Sequence, residues 1–192
     1  SQCVARSPGF DDDMVATAEQ MIGKYGELPR GNRALFVTPL GKAIGVVQVE
    51  GRQYYVLVLS LKLYRAIHDP FRIAGEYRPD FTAHGDMPGL QWTAGPTLAR
   101  KFADVQALLQ AENSATLLGT AQAVVDGGRV AFARPSSDAD TLQRIWSLLP
   151  DSVRGEATLA TFAPSNALRF DLVAAPRIEG ADFGHYLTEE QA

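Results

Sequence analysis

Residues 33 to 62 hold three runs of strand-forming residues with almost nothing between them. "RALFVTP" (33–39), "KAIGVVQVE" (42–50) and "RQYYVLVLSLK" (52–62) are rich in β-branched and aromatic side chains. Pro39-Leu40-Gly41 separates the first two runs and Glu50-Gly51 the second two. Parallel neighbours need a crossover of about a dozen residues, so connections this short leave only antiparallel pairing. The stretch must fold as a meander. Its third run is apolar at consecutive positions, which predicts a central strand covered on both faces.

Helices flank this meander. Before it, Met14, Val15, Ala18, Met21, Ile22 and Tyr25 recur at three- and four-residue spacing, predicting one apolar helix face between 11 and 25. Gly26 stands at the C-cap position and Pro29 just beyond. The three consecutive aspartates, Asp11 to Asp13, are metal-capable in type. Adjacent residues on a helix diverge by about 100°, however, whereas a cation needs converging oxygens. An aspartate at the N-cap accepts free backbone N–H groups, and its neighbours favour the positive end of the dipole. The aspartates are read as a helix start, after a short strand at Val4 and Ala5.

Beyond the meander, "LYRAIHD" predicts a short helix stopped at Asp69-Pro70. A helix near 98–112 follows, with Leu98, Phe102, Val105, Leu108 and Leu109 as its apolar face. "TLLGTAQAVVDGG" reads as a helix ending at Gly127-Gly128, with a strand as the alternative, and "RVAFAR" (129–134) as a strand. Ser136 and Ser137 are candidate caps for a helix turning Leu142, Ile145, Trp146 and Leu149 inward before Pro150. "ATLATFA" (157–163) and "RFDLVAA" (169–175) read as strands joined by Pro164-Ser165-Asn166. The expected class is α+β: an antiparallel meander plus mixed sheet strands, with helices packed on the faces.

Between these halves, residues 76–97 hold three prolines, three glycines and no regular period. A loop this long inside a compact domain is usually functional or disordered, and Tyr77, Phe81 and Trp92 argue against disorder. The expected organisation is one globular domain over 1–192, or two packed subdomains, 1–75 and 98–176, joined by the loop.

At 192 residues the chain buries roughly 70% of its unfolded surface and needs no disulfide or metal staple. A net charge of −4 with scattered Lys and Arg gives no electrostatic footprint for nucleic acid. The longest apolar run, Tyr54 to Tyr64, is about half a membrane span and contains Lys62. Cys3 has no second cysteine to pair with. Cytoplasmic location is the default expectation. The ending "GHYLTEEQA" reads as a cut within a longer protein.

Motifs for common chemistries are missing. Gly23-Lys24 and Gly41-Lys42 lack the hydroxyl residue of a phosphate loop, and neither G-x-G-x-x-G nor G-x-S-x-G occurs. His68, His84 and His185 are dispersed, and none lies in H-E-x-x-H. Glu76, Asp80, His84 and Asp86 form the one acid–base grouping, although solvated loops commonly have this composition. No catalytic, cofactor-binding or metal-ligating residue is assigned. Tyr77, Phe81 and Trp92 are the candidate protein-interface residues, with Trp92 either plugging the loop onto the core or joining a recognition surface.

"ARSPGF" before an acidic helix, "LLGTAQAVVDGGRVAF" and "TLQRIWSLLPDSVRGEATLATFAPSNALRFDLVAAP" together resemble a group of uncharacterised bacterial proteins. More distantly, they resemble the N-terminal domain of bacterial GTPase-associated proteins of biological-conflict systems. The resemblance covers residues 4–26 and 116–176 best. It implies a non-catalytic module serving larger assemblies, and it transfers no site residue. The expected function is a protein-interaction or scaffold domain of a larger bacterial protein, with a protein partner and no cofactor. A hydrolase or transferase whose residues converge only in the fold is the alternative. A flat apolar patch favours the first, and a deep cleft with opposed pKa shifts the second.

Overall fold

The computed structural model describes residues 2–192. β1 (Ala5–Arg6) leads into α1 (Asp12–Tyr25), whose N-cap is Asp11; that carboxylate accepts the Met14 N–H at 2.9 Å. Asp12 and Asp13 occupy the first turn and Lys24 the last, each placed favourably for the helix dipole. Gly26 ends the helix at φ +93°, where an added Cβ would also meet the Pro164 ring at 3.3 Å. The acidic run starts a helix, and Ala18, Met21, Ile22 and Tyr25 are its buried face.

β2 (Arg33–Leu40), β3 (Ala43–Glu50) and β4 (Gln53–Ser60) are the meander, paired antiparallel over eight residues at each junction. Gly41 and Gly51 take φ of +60° and +58° in the two tight turns, a region that favours glycine. The third strand departs from expectation. β4 is an edge strand, and Tyr54 through Val58 are only half-buried. Consecutive apolar residues report that both faces have cover; they carry no information about a lateral neighbour.

α2 (Leu61–Ile67) follows, capped by Ser60, and α3 (Pro70–Glu76) begins at once behind it. Asp69-Pro70 therefore stops one helix and starts the next. Asp69 accepts the N–H groups of Phe71 and Arg72, and Pro70 stands where a missing N–H costs nothing. Within the long loop, β5 (Gly85–Asp86) pairs parallel with β1.

In the second half α4 spans only Phe102–Leu109, shorter than the expected 98–112, and its N-cap Lys101 makes no side-chain cap bond. It has no fully buried residue: of the apolar face, Val105 and Leu108 are half-buried and Leu98, Phe102 and Leu109 are exposed. α5 (Ser114–Val125), β6 (Val130–Ala133), α6 (Ala139–Leu148) and α7 (Asp151–Arg154) come next. Asp138, and neither Ser136 nor Ser137, caps α6 through the Thr141 N–H at 3.2 Å. The expected long strands shrink to β7 (Leu159–Ala160) and β8 (Leu172–Ala175), and they pair parallel. The chain between them is no tight turn. Thr158 and Asp171 bond each other across it, and the buried Asn166 side chain accepts the Phe170 N–H. β9 (Leu187–Thr188) completes the sheet.

One mixed sheet runs β4-β3-β2-β7-β8-β6-β9, so a strand of the meander, β2, pairs with a strand of the second half, β7. Alternation divides its side chains. Phe36, Val47, Ala160, Val173 and Ala131 face α1 and the C-terminal segment. Val37, Val46, Leu159, Leu172 and Phe132 face α2, α3, α5 and α6. The register preserves this division across both halves: Phe36 stands opposite Val47 and Ala160, and Val37 opposite Val46 and Leu159. Trp146 lies fully inside the second layer. The fold is α+β, with helices on both faces of a mixed sheet.

Candidate functional site

The loop after α3 is built around one arginine. The Arg72 guanidinium donates to the carbonyls of Ala94 at 2.6 Å and Pro96 at 2.8 Å, and it lies 5.1 Å over the Trp92 ring. The Trp92 indole N–H donates to the Gly95 carbonyl at 2.7 Å. Tyr77 meets Trp92 with ring centroids 6.2 Å apart and donates its hydroxyl to the Gln91 carbonyl. Both rings pack on the core beneath α2 and α3. Phe81 is set apart from this pair, and its carbonyl accepts from Gln53 at the start of β4. Tyr77 and Trp92 are brought together; Phe81 does not join them.

The same loop forms a fixed arm leading to α4. The Thr97 hydroxyl donates to the Ile67 carbonyl at 2.5 Å. Arg100 donates to the Ser147 carbonyl at 3.1 Å and to the Asp151 carboxylate at 3.0 Å. These tethers end where an exposed apolar surface begins. Leu98 is 79% and Phe102 82% exposed, and Leu109 is 46% exposed. Leu118 and Val125, one stripe on the outer face of α5, are also exposed. Of α4, Leu108 packs on the core and Val105 is half-buried. Large exposed apolar side chains concentrated on neighbouring helices are a usual mark of an interaction surface.

A second cluster lies under Arg100. His68 is buried at the end of α2 with φ +40°, its N–H bonded to the Tyr64 carbonyl and its own carbonyl accepting the Trp146 indole N–H at 3.0 Å. Arg154 is buried and donates to Asp151 at 2.6 Å, and His68 Nε2 stands 3.8 Å from the same carboxylate. The Tyr64 hydroxyl, His68 Nδ1 and Arg154 Nε have no hydrogen-bond partner. Hydrogen bonding to Arg154 holds the Asp151 carboxyl below its ordinary pKa. Burial, with Arg154 beside it, pushes His68 down and keeps it neutral. Burial pushes Tyr64 above its ordinary value. Asp151 shared by two arginines is a weak base, and 3.8 Å is beyond hydrogen-bond reach of the imidazole. This arrangement clasps α2 to α6 and α7. Sequence spacing marks Tyr64, Ile67 and His68 as one helix side, but nothing in the sequence signals their meeting with Asp151 and Arg154.

The remaining candidates stay apart. Glu76, Asp80, His84 and Asp86 are all exposed, and among the described residues no side-chain hydrogen bond or ion pair joins any two of them. Asp80 instead accepts the Thr82 N–H and hydroxyl, which lowers its pKa. His185 is exposed, and so is Cys3. Asp12 pairs with Arg6 beside an open depression of about 410 Å³ between β1, β5 and α1. A second open depression, about 300 Å³, lies by Gly127, Val153 and Asp171. Among the described residues no group of three or more His, Cys, Asp or Glu side chains is gathered for a metal ion. None of the helices there is long and apolar enough to cross a membrane.

Fold and surface together define an α+β domain that presents a tethered apolar helix. No family model, curated protein or solved structure matches the chain.

Proposed function

We propose that this chain is a protein-interaction module, part of a larger bacterial protein, whose contact surface centres on α4. The observation that carries this is the exposure of Leu98 and Phe102, both about four-fifths open to solvent at the end of an arm held by Arg72, Thr97 and Arg100. Burying a large apolar side chain contributes about 1.5–3 kcal/mol, so a partner covering these two gains several kcal/mol. The lead-in is tethered by side-chain hydrogen bonds, which limits the entropy lost on docking. In this role Tyr77 and Trp92 brace the arm from below and leave parts of their rings for contact; Phe81 adds a separate edge near β4. The resemblance to modules of larger bacterial assemblies supports the same role.

A photo-reactive benzoylphenylalanine in place of Phe102, with one in place of the exposed Arg78 as control, tests this in cells. Defined protein adducts from position 102 and few from position 78 are expected. Equal, diffuse labelling from both positions refutes the assignment.

A further inference from the structure

Resting on that role, we infer that α4 pairs antiparallel with α4 of a second copy of this chain across a twofold axis. Within α4, Phe102, Val105 and Leu109 are spaced three and four residues apart, the spacing of a helix–helix seam. Leu98 extends the apolar surface in the lead-in to the helix and completes the four apolar residues of the seam. Only Val105 of the four is largely covered by the chain's own body.

Charge selects the partner and its direction. Lys101 stands at the start of the seam and Glu112 at its end; both are exposed, and among the described residues neither has an ion-pair partner. Antiparallel pairing about a point between Val105 and Gln106 sets Phe102 against the second copy's Leu109. It brings Lys101 within a turn of the second copy's Glu112, twice by symmetry, and places Asp104 opposite Ala107. Parallel pairing sets Lys101 against Lys101, Asp104 against Asp104 and Glu112 against Glu112. Opposed helix dipoles favour the antiparallel form as well. A self-complementary patch of this kind closes on itself as a dimer and does not extend into a filament. A seam of one eight-residue helix, about 12 Å long, buries less than the roughly 1,200 Å² at which specific stable interfaces begin, so the pairing is weak and reversible.

Sedimentation velocity on the whole chain, from micromolar to millimolar, reads the association. A concentration-dependent dimer is expected, and Phe102→Asp weakens it at least about tenfold with an unchanged thermal melt. Lys101→Glu alone and Glu112→Lys alone each weaken it roughly two- to fivefold. Combining the two substitutions in one chain restores the parent affinity. A chain that stays monomeric at millimolar concentration overturns the inference, as does a double variant no better than the single ones. If position 102 labels a different protein while the chain stays monomeric, self-pairing falls and the interaction role stands.

Discussion

Replacing Trp92 by alanine separates two jobs for the same ring, bracing the arm or meeting a partner. A fully buried tryptophan costs about 3–5 kcal/mol when truncated. Trp92 is half-buried against the layer under α2 and α3, so packing accounts for about 2 kcal/mol here. The Arg72 guanidinium over its face adds about 0.5 kcal/mol at an exposed site. The indole bond to the Gly95 carbonyl adds about 0.5 kcal/mol more. The expected loss is about 3 kcal/mol, which for a chain of this length lowers the melting temperature by roughly 6–12 °C. Urea unfolding followed by circular dichroism and by tryptophan fluorescence from Trp146 measures it. A loss under about 0.5 kcal/mol refutes the bracing role and makes Trp92 a contact residue.

Three further outcomes follow from individual contacts. Tyr25→Phe removes the hydroxyl that donates to the buried Phe162 carbonyl at 2.6 Å, so chemical denaturation should show a loss of about 1–3 kcal/mol with the α1 packing otherwise intact. His68 has a folded pKa below its unfolded value, with Arg154, Asp151 and Asp69 as the charges acting on it; its stabilising contribution is present above about pH 6.5 and falls away as pH drops toward the folded pKa. Melting temperatures between pH 7 and 5 should fall, and His68→Gln should flatten that slope; Asp151, also depressed, acts only below about pH 4. Arg134→Ala breaks the two-pronged pair with Glu189 at 2.9 and 3.0 Å and the Asp138 contact at 2.7 Å, at a cost of about 1–2 kcal/mol. Hydrogen exchange should then quicken first around β9, which Glu189 follows.

The legible parts of the fold were those fixed by neighbours in sequence. Asp11 with the spacing from Ala18 to Tyr25 specifies α1, and two glycine turns specify the pairing of β2, β3 and β4. The second half depends on contacts distant in sequence. β7 has two residues, and its parallel pairing with β8 relies on Thr158, Asn166 and Asp171 ordering the intervening chain. An eye for turns sees Pro164-Ser165-Asn166 and infers a hairpin. α3 was hidden because Asp-Pro serves equally as a stop and as a cap with proline at the first helical position. The clasp of Tyr64, His68, Asp151 and Arg154 joins residues up to 90 apart in number, and a buried arginine leaves no pattern in sequence. For α4 the spacing was readable, but spacing says which residues share a side and not which way that side turns.

Why α4 turns its apolar residues outward has a packing answer. The sheet face beneath it is already filled: Leu117, Thr120, Ala121 and Val124 of α5, with Leu142, Ile145 and Trp146 of α6, cover Val130, Phe132 and Leu172. For Phe102 to reach that layer, α5 would have to give up contacts made by fully buried side chains, each worth about as much as the one gained. The start of α4 is also fixed, since Arg100 is tied to Ser147 at the end of α6 and to Asp151 at the start of α7. Leu108 packs on the core and Val105 is half-buried beside it, and the stripe with Phe102 and Leu109 is left over. The exposed stripe therefore arises from a core that is complete without it. Among the described residues nothing further is available to cover it.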